Sequence, residues 1–309
     1  MKIITLTLNP AFDMHCCVDV FKPFHENIAE ITSKDAGGKG VNISRALANN
    51  GIANLAVIIV GKENAAEFVD NLKRDNITYK TVETQGRIRK NITLHSGDGA
   101  AETRISFHGF VCDKSILESA TEKIGGVDEE TIVTMTGSIP DGVSVADVKL
   151  FLDGLKKQGA KIVVDSRSFT LRDIKEFQPW LIKPNKDEIT AYTGNAVQSA
   201  ENALAIAKDL HNDGIENVMI SLGGDGAVLS CRAGDFIAKA PEIYAVSTVG
   251  AGDSMIAGFI AAYATGAGAS ACLKHAVAFG TAACMQEGTK PPEKKNVEFL
   301  EYKVIVKEA

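Results

Sequence analysis

The sequence has no surplus of positive charge: 33 Lys and Arg stand against 39 Asp and Glu, a formal net charge of −6 over 309 residues. A general nucleic-acid binder needs a basic face to meet phosphates, so that class is excluded. Paired cysteine spacings are missing too. Cys16, Cys17, Cys112, Cys231, Cys272 and Cys284 form no C-x-x-C pair and no zinc spacing with histidine. They read as reduced thiols of a cytoplasmic protein, with a redox-sensitive reading left open for adjacent Cys16 and Cys17. His15, His25, His95, His108, His211 and His275 form no cluster, and none is assigned a role. There is no G-x-x-x-x-G-K-S/T, which excludes a P-loop. Gly266-x-Gly268-x-x-Ala271 matches a Rossmann pattern only loosely and lies between two helices. The opening run to Leu8 is too short for a signal-peptide core. Met255 to Leu273 is uncharged and about long enough to span a bilayer. Thr265-Gly266-Ala267-Gly268 breaks it, so two packed helices joined by a turn are expected and no membrane segment. No repeat or low-complexity linker divides the chain, which reads as one domain over 1–309.

What the chain does have is a glycine-cornered helix entry. In Ser247-Thr248-Val249-Gly250-Ala251-Gly252-Asp253-Ser254, two glycines bracket Ala251, and an apolar run follows from Met255 to Ala264. Glycine frees the backbone to turn sharply and keeps Cβ atoms away. The unsatisfied amides and dipole of a helix start favour an anion. A carboxylate at that spot repels phosphate, so Asp253 has two readings. It is an N-cap, or a general base that takes a proton from an attacking hydroxyl while the amides hold the developing charge.

Around this stretch the chain alternates. Lys2 to Leu8 reads as a strand ended by Asn9-Pro10, with Asp13 just beyond. Met14 to Ser33 reads as short strands and loops. Ala36-Gly37-Gly38-Lys39-Gly40-Val41-Asn42 leads into a helix to about Asn50, its glycines equally a helix-entry turn or a ligand loop. A buried strand over Asn54–Val60, a helix over Glu63–Arg74 and a strand near Ile77–Val82 follow. Arg87–His95 and Thr103–Phe107 flank Ser96-Gly97-Asp98-Gly99 as a hairpin. With Met14–Ser33 it can make a small sheet apart from the main one. Beyond Cys112, helices over Lys114–Lys123, Ser144–Gln158 and Ala200–Asn212 alternate with strands Thr131–Met135, Lys161–Asp165, Leu181–Asn185 and Asn217–Leu222. Gly223-Gly224-Asp225-Gly226 turns into strand Ala227–Cys231, and Tyr302–Val306 is a candidate last strand. This rhythm predicts an α/β fold with a mostly parallel sheet covered on both faces. Ligands sit at the carboxyl ends of such strands. Gly137-Ser138, Asp165, Asn185, Gly223 and the Gly250 turn all fall there. Asn185-x-x-Glu188 at a helix mouth holds a hydrated Mg²⁺ through Glu188, or is a first-turn Glu favoured by the dipole.

Together these motifs resemble the PfkB family of carbohydrate kinases, within the ribokinase-like superfamily. Gly37-Gly38-Lys39-Gly40-x-Asn42 is similar to its first signature. Thr248-x-Gly250-Ala251-Gly252-Asp253-Ser254 with Phe259 is similar to its second, and Asn185-x-x-Glu188 to its metal-linked motif. Thr5-Leu6-Thr7-Leu8-Asn9-Pro10-Ala11-x-Asp13, Arg89-x-Asn91 and Gly137-Ser138-x-Pro140 resemble the sugar-phosphate branch, the 1-phosphofructokinases and tagatose-6-phosphate kinases. The resemblance implies a three-layer α/β/α sandwich with a small β-sheet lid, formed by about 12–34 and 86–109 and often shared across a homodimer. It implies an ATP- and Mg²⁺-dependent kinase with Asp253 as base and Gly250, Ala251 and Gly252 as the anion hole. Asp13, Gly38, Lys39, Asn42, Arg89, Asn91 and Ser138 are then sugar-phosphate contacts. Lys183, Asn185, Ser221, Gly223, Gly224, Gly226 and Thr248 line the ATP site, and Glu188 holds metal through water. That branch usually has a basic residue where Asn27 and Ile28 stand. Fructose 1-phosphate and tagatose 6-phosphate therefore both remain as acceptors, beside an unphosphorylated sugar or nucleoside, or a non-catalytic sensor on the same fold.

Overall fold

The computed structural model describes residues 1–97 and 102–309. Asp98 and Gly99 of the expected hairpin turn lie outside the described residues. The first part supplies β1 (Lys2–Thr7), β2 (Ala11–Val18), β3 (Glu30–Gly37), α1 (Lys39–Asn49), β4 (Leu55–Gly61), α2 (Ala65–Arg74), β5 (Tyr79–Thr84), β6 (Arg89–Ser96) and β7 (Thr103–Ser106). Next come α3 (Ile116–Ile124), β8 (Thr131–Thr136), α4 (Val145–Lys157), β9 (Lys161–Asp165), α5 (Leu171–Phe177), β10 (Leu181–Ile182), α6 (Lys186–Thr193) and α7 (Ala200–Asn212). The chain ends with β11 (Asn217–Ser221), a single 3-10 turn, β12 (Ala227–Cys231), β13 (Gly234–Lys239), α8 (Ala251–Ala264), α9 (Ala269–Cys284), α10 (Lys294–Lys303) and β14 (Ile305–Glu308).

Ten strands form the main sheet in the order β14-β13-β12-β11-β10-β9-β8-β1-β4-β5. From β5 to β11 every pairing is parallel, and β12, β13 and β14 continue antiparallel. Neighbouring residues of one strand go to opposite layers, as the two-residue period of a strand requires. Ile4, Leu6 and Val133 pack with Leu117 of α3 and Leu152 of α4. Ile3, Ile132 and Val163 pack with Ile43 of α1, Ile256 of α8 and Phe279 of α9. Covering on both faces explains why the central strands are apolar without alternation.

Met255–Leu273 does divide into two helices. α8 stops at Ala264 and α9 begins at Ala269, with Gly266 at φ 84° in the turn. No helix among the described residues is long and apolar enough to cross a membrane. The two helices pack closely because Gly258 has no side chain: a Cβ there would lie 2.7 Å from the His275 carbonyl oxygen.

A second sheet of four strands has the order β3-β2-β6-β7. Parallel pairing sets Asp13 opposite Asn91 and His15 opposite Thr93. The β6–β7 ladder extends both rows, to Ser106 and to Arg104. One face is therefore polar, and the other carries buried Cys16, Val18 and Leu94.

Three sequence expectations need correction. Tyr302 and Lys303 close α10, and the last strand is Ile305–Glu308. The Lys/Glu-rich run hides α10 because its apolar face is only Val297 and Leu300. Strand β10 stops at Ile182, since Lys183-Pro184 cannot extend the ladder and Asn185 caps α6. Sequence periodicity also passed over α5 and β13, seven and six residues long.

Candidate active site

At the carboxyl ends of β1, β8 and β9, a cleft of about 510 Å³ opens between the main sheet and the polar face of the small one. Asp13, Gly38, Lys39, Asn42, Arg89, Asn91 and Ser138 all border it, together with Lys183, Asn185, Glu188, Thr248, Gly250, Gly252 and Asp253. Ala251 does not. Ser221, Gly223, Gly224 and Gly226 also lie outside this lining. They continue the same end of the sheet, because Ser221 bridges Asn185 and Gly223–Asp225 form the 3-10 turn.

Asp253 is not the N-cap of its helix. Gly250, at φ 78°, is the N-cap of α8, and Asp253 is its third helical residue without a capping bond. Its carboxylate accepts instead from Asn42 Nδ2 at 2.9 Å. Burial pushes its pKa from 3.8 up to about 6, against the pull of Lys39. The Gly250, Gly252 and Asp253 amides donate to no protein acceptor among the described residues. A carboxylate of raised basicity thus stands beside a turn of free N–H groups, the arrangement that deprotonation beside an anion requires.

Asn42 is itself held. Its Oδ1 accepts from Arg45 Nη1 at 3.1 Å, which orients the amide so that its NH₂ meets Asp253. Arg45 is buried and anchored to Asp75 at 2.8 Å and to the Ala36 carbonyl. Gly38, at φ 116°, starts α1 within reach of Thr7 and Pro10.

Beneath the turn lies an ion cluster. Asp165 accepts from Lys39 at 3.0 Å and sits 3.9 Å from Lys183. Burial acts to raise the Asp165 pKa, but Lys183 and Lys39 outweigh it and hold it below the usual range. Burial acts to lower that of Lys39, and Asp165 with Asp253 reverses this. Lys183, 3% exposed, packs against Gly252, where a Cβ would come within 3.0 Å of Nζ.

On the small sheet, Asn91 donates to Asp13 at 2.9 Å. Burial raises the Asp13 pKa despite that bond and Arg45. Arg89 is half-buried: Nη2 reaches the Asn9 carbonyl and Ser138 Oγ, both at 3.4 Å, and Nε has no partner among the described residues. It is not a solvated hairpin residue. Asn27, where a basic residue was expected, bonds only within its own loop, to Lys22 and His25 among the described residues.

Glu188 is not simply an exposed first-turn residue. It completes a capping box with Asn185 and accepts from Arg167 at 3.0 Å. Among the described residues no three His, Cys, Asp or Glu side chains gather to hold a metal directly. One carboxylate beside the cleft does fit a hydrated Mg²⁺, which keeps most of its waters.

Sequence reading missed Arg45, Arg104, Arg167 and Thr289, and treated Asp165 only as a strand end. Its statement that the histidines form no cluster is also corrected. His15 and His95 stack with centroids 5.4 Å apart and share a hydrogen bond of 3.1 Å. Eighty positions separate them in the chain, and only the parallel β2–β6 pairing brings them together. No local spacing signals such a pair.

A mainly parallel sheet covered by helices, with a small second sheet opposite its carboxyl end and an amide turn beside a buried carboxylate, defines the ribokinase-like kinases. The pfkB family carbohydrate kinase profile matches residues 15–296. The chain belongs to that family, whose members are phosphotransferases with a hydroxyl acceptor. It is 33% identical over 259 residues to 1-phosphofructokinase of Bacillus subtilis, covering 84% of each chain. To 1-phosphofructokinase of Escherichia coli it is 33% identical over 260 residues, covering 84% of this chain and 83% of the relative. Its fold superposes on phosphofructokinase-2 of Escherichia coli in complex with substrates and products with a TM-score of 0.92, at 25% identity, covering 98% and 99% of the two chains.

Proposed function

We propose that the protein transfers the γ-phosphoryl group of ATP to a ketohexose phosphate, fructose 1-phosphate, giving fructose 1,6-bisphosphate. Asp253 carries this reading. Burial makes the charged form of this carboxylate costly to the fold despite its place at a helix start, yet suits a base acting on a bound hydroxyl. The free amides of Gly250, Gly252 and Asp253 then face the negative charge of the transferring group. Lys39 and Lys183, fixed by Asp165, add positive charge below the turn. Positioning and charge neutralisation supply most of the acceleration in such a transfer.

At the far side of the cleft, Arg89, Ser138 and Asn9 gather donors beside an Arg89 Nε that lacks a partner among the described residues. A planar guanidinium holds two oxygens of a phosphate at once, which supports an acceptor that is already phosphorylated. Asp13, Asn91, Gly38 and Asn42 contact the sugar between the two ends. ATP lies along Lys183, Asn185, Ser221, Thr248 and the Gly223, Gly224 and Gly226 turn. Glu188 would hold a hydrated Mg²⁺, which when bound neutralises phosphate charge. The segments 12–34 and 86–109 act as a lid on a single kinase domain.

The test is ADP release with fructose 1-phosphate, tagatose 6-phosphate and fructose 6-phosphate in parallel. Fructose 1-phosphate is expected to give the highest kcat/KM. A preference for tagatose 6-phosphate or fructose 6-phosphate would move the assignment to that acceptor, and a preference for free fructose would overturn the sugar-phosphate reading.

A further inference from the structure

Three side chains of the small sheet and Glu102, just before β7, form a chain that ends in the cleft. Arg104 on β7 donates from Nη2 to Glu102 Oε2 at 3.3 Å. The other Glu102 oxygen lies 3.4 Å from His95 Nδ1 on β6. His95 Nε2 then meets His15 Nδ1 on β2 at 3.1 Å. A neutral imidazole has one N–H and one bare nitrogen, and an ionised carboxylate only accepts. A proton on His95 Nδ1, the nitrogen that faces the carboxylate, leaves Nε2 bare. That bare nitrogen takes its hydrogen bond from His15 Nδ1–H. What remains is the other ring nitrogen, His15 Nε2, as an acceptor.

His15 lines the cleft two residues beyond Asp13. Its Nε2 lies beside the backbone of Gly288, where a Cβ would come within 2.7 Å of it. Burial and the neighbouring His95 lower the His15 pKa from 6.5, while Asp13, Asp35 of β3 and Glu102 pull the other way. The neutral ring therefore prevails at pH 7.

We infer that His15 binds substrate, its Nε2 accepting a hydrogen bond from a hydroxyl of the sugar, with His95 and Glu102 as positioning residues that fix this tautomer. The inference rests on reading the cleft as a sugar-phosphate site. Nothing in that reading assigns a role to any of the three.

Two measurements test it. Long-range ¹⁵N–¹H spectra of the imidazoles in the free enzyme read the tautomer without any turnover. They should show His15 protonated at Nδ1 and bare at Nε2, and a mixed tautomer in Glu102→Gln, a substitution at a half-exposed position that the fold should tolerate. An Nε2–H tautomer in wild type would overturn the proposal. Kinetics with fructose 1-phosphate form the second arm. His15→Phe should raise KM for the sugar phosphate about five- to tenfold, the scale of one lost hydrogen bond, and leave KM for ATP unchanged. His15→Gln keeps an acceptor and should recover most of the loss. Substrate phosphate and Asp253 also titrate near pH 6, so the ratio of KM in His15→Phe to wild type is followed. It should shrink on acidification once His15 protonates, below the ordinary imidazole range. A ratio that grows on acidification would make His15⁺ a phosphate donor, and Gln as damaging as Phe for both substrates would make the residue structural. If wild type turned over no sugar phosphate, the kinase reading would fail, and the tautomer spectrum would still decide the hydrogen-bond chain.

Discussion

Arg89 and Asp253 make opposite demands on the same cleft, and each can be tested alone. A charged hydrogen bond is worth roughly 1.5–3 kcal/mol. Arg89→Ala should therefore cost about ten- to a hundredfold in kcat/KM for the sugar phosphate while KM for ATP barely moves. Equal losses for both substrates would point to a folding defect. For Asp253, only the carboxylate form accepts a proton, and its pKa is raised to about 6. The rate with saturating substrates should fall as pH drops through about 6 and be flat above 7. The same shift has a stability consequence. A carboxyl raised from 3.8 to about 6 contributes stability that is present below the unfolded value and lost as pH rises through the folded one. Asp253→Asn should accordingly melt higher than wild type at pH 7.5, and an unchanged or lower Tm would contradict burial as the cause of the shift. At this scale the sequence was informative about identity and silent about partners. Asp253 stood out from its glycine turn, whereas Lys39 and Asn42 were singled out only through the family resemblance. Their anchors Asp165 and Arg45, and the His15–His95 pair, depend on contacts between residues far apart in the chain.

At the scale of elements, α8 owes its position to close packing on α9. Gly258→Ala places a methyl against the His275 carbonyl and the Phe279 ring. Overpacking of this kind costs about 1–3 kcal/mol, so Tm should fall by several degrees, with kcat reduced as the Gly250 turn shifts. An unchanged Tm would show that the helices can part without cost. For α6, Glu188→Gln keeps the capping geometry yet removes the charge. It should raise the Mg²⁺ concentration needed for half-maximal rate, and an unaltered Mg²⁺ dependence would reduce Glu188 to a helix cap paired with Arg167. Helices and strands with strong periodicity were legible: Ala200–Asn212 and Ala227–Cys231 coincide with α7 and β12. α10 and β13 were not, because their apolar residues are few and their order depends on docking at the edge of the sheet.

At the scale of the whole molecule, the two sheets explain why so distributed a set of residues can act together. β1, β8 and β9 end at one level, which brings Thr7, Gly137 and Asp165 to the floor of the cleft. The small sheet, built from the irregular-looking Met14–Ser33 segment and the expected hairpin, sets a polar row from Asp13 to Ser106 opposite them. The parallel alternation was visible in the sequence. The orientation of the second sheet was not, because alternation along a strand does not say which face meets the other sheet. The central claim is that Asp253 deprotonates a hydroxyl of a sugar that already bears a phosphate. ADP release from fructose 1-phosphate, compared between wild type and Asp253→Asn at equal ATP occupancy, tests it most directly. The account predicts a fall in kcat of at least about 10²-fold, the scale of a general base, with ATP affinity nearly intact. Turnover within a few-fold of wild type would contradict it.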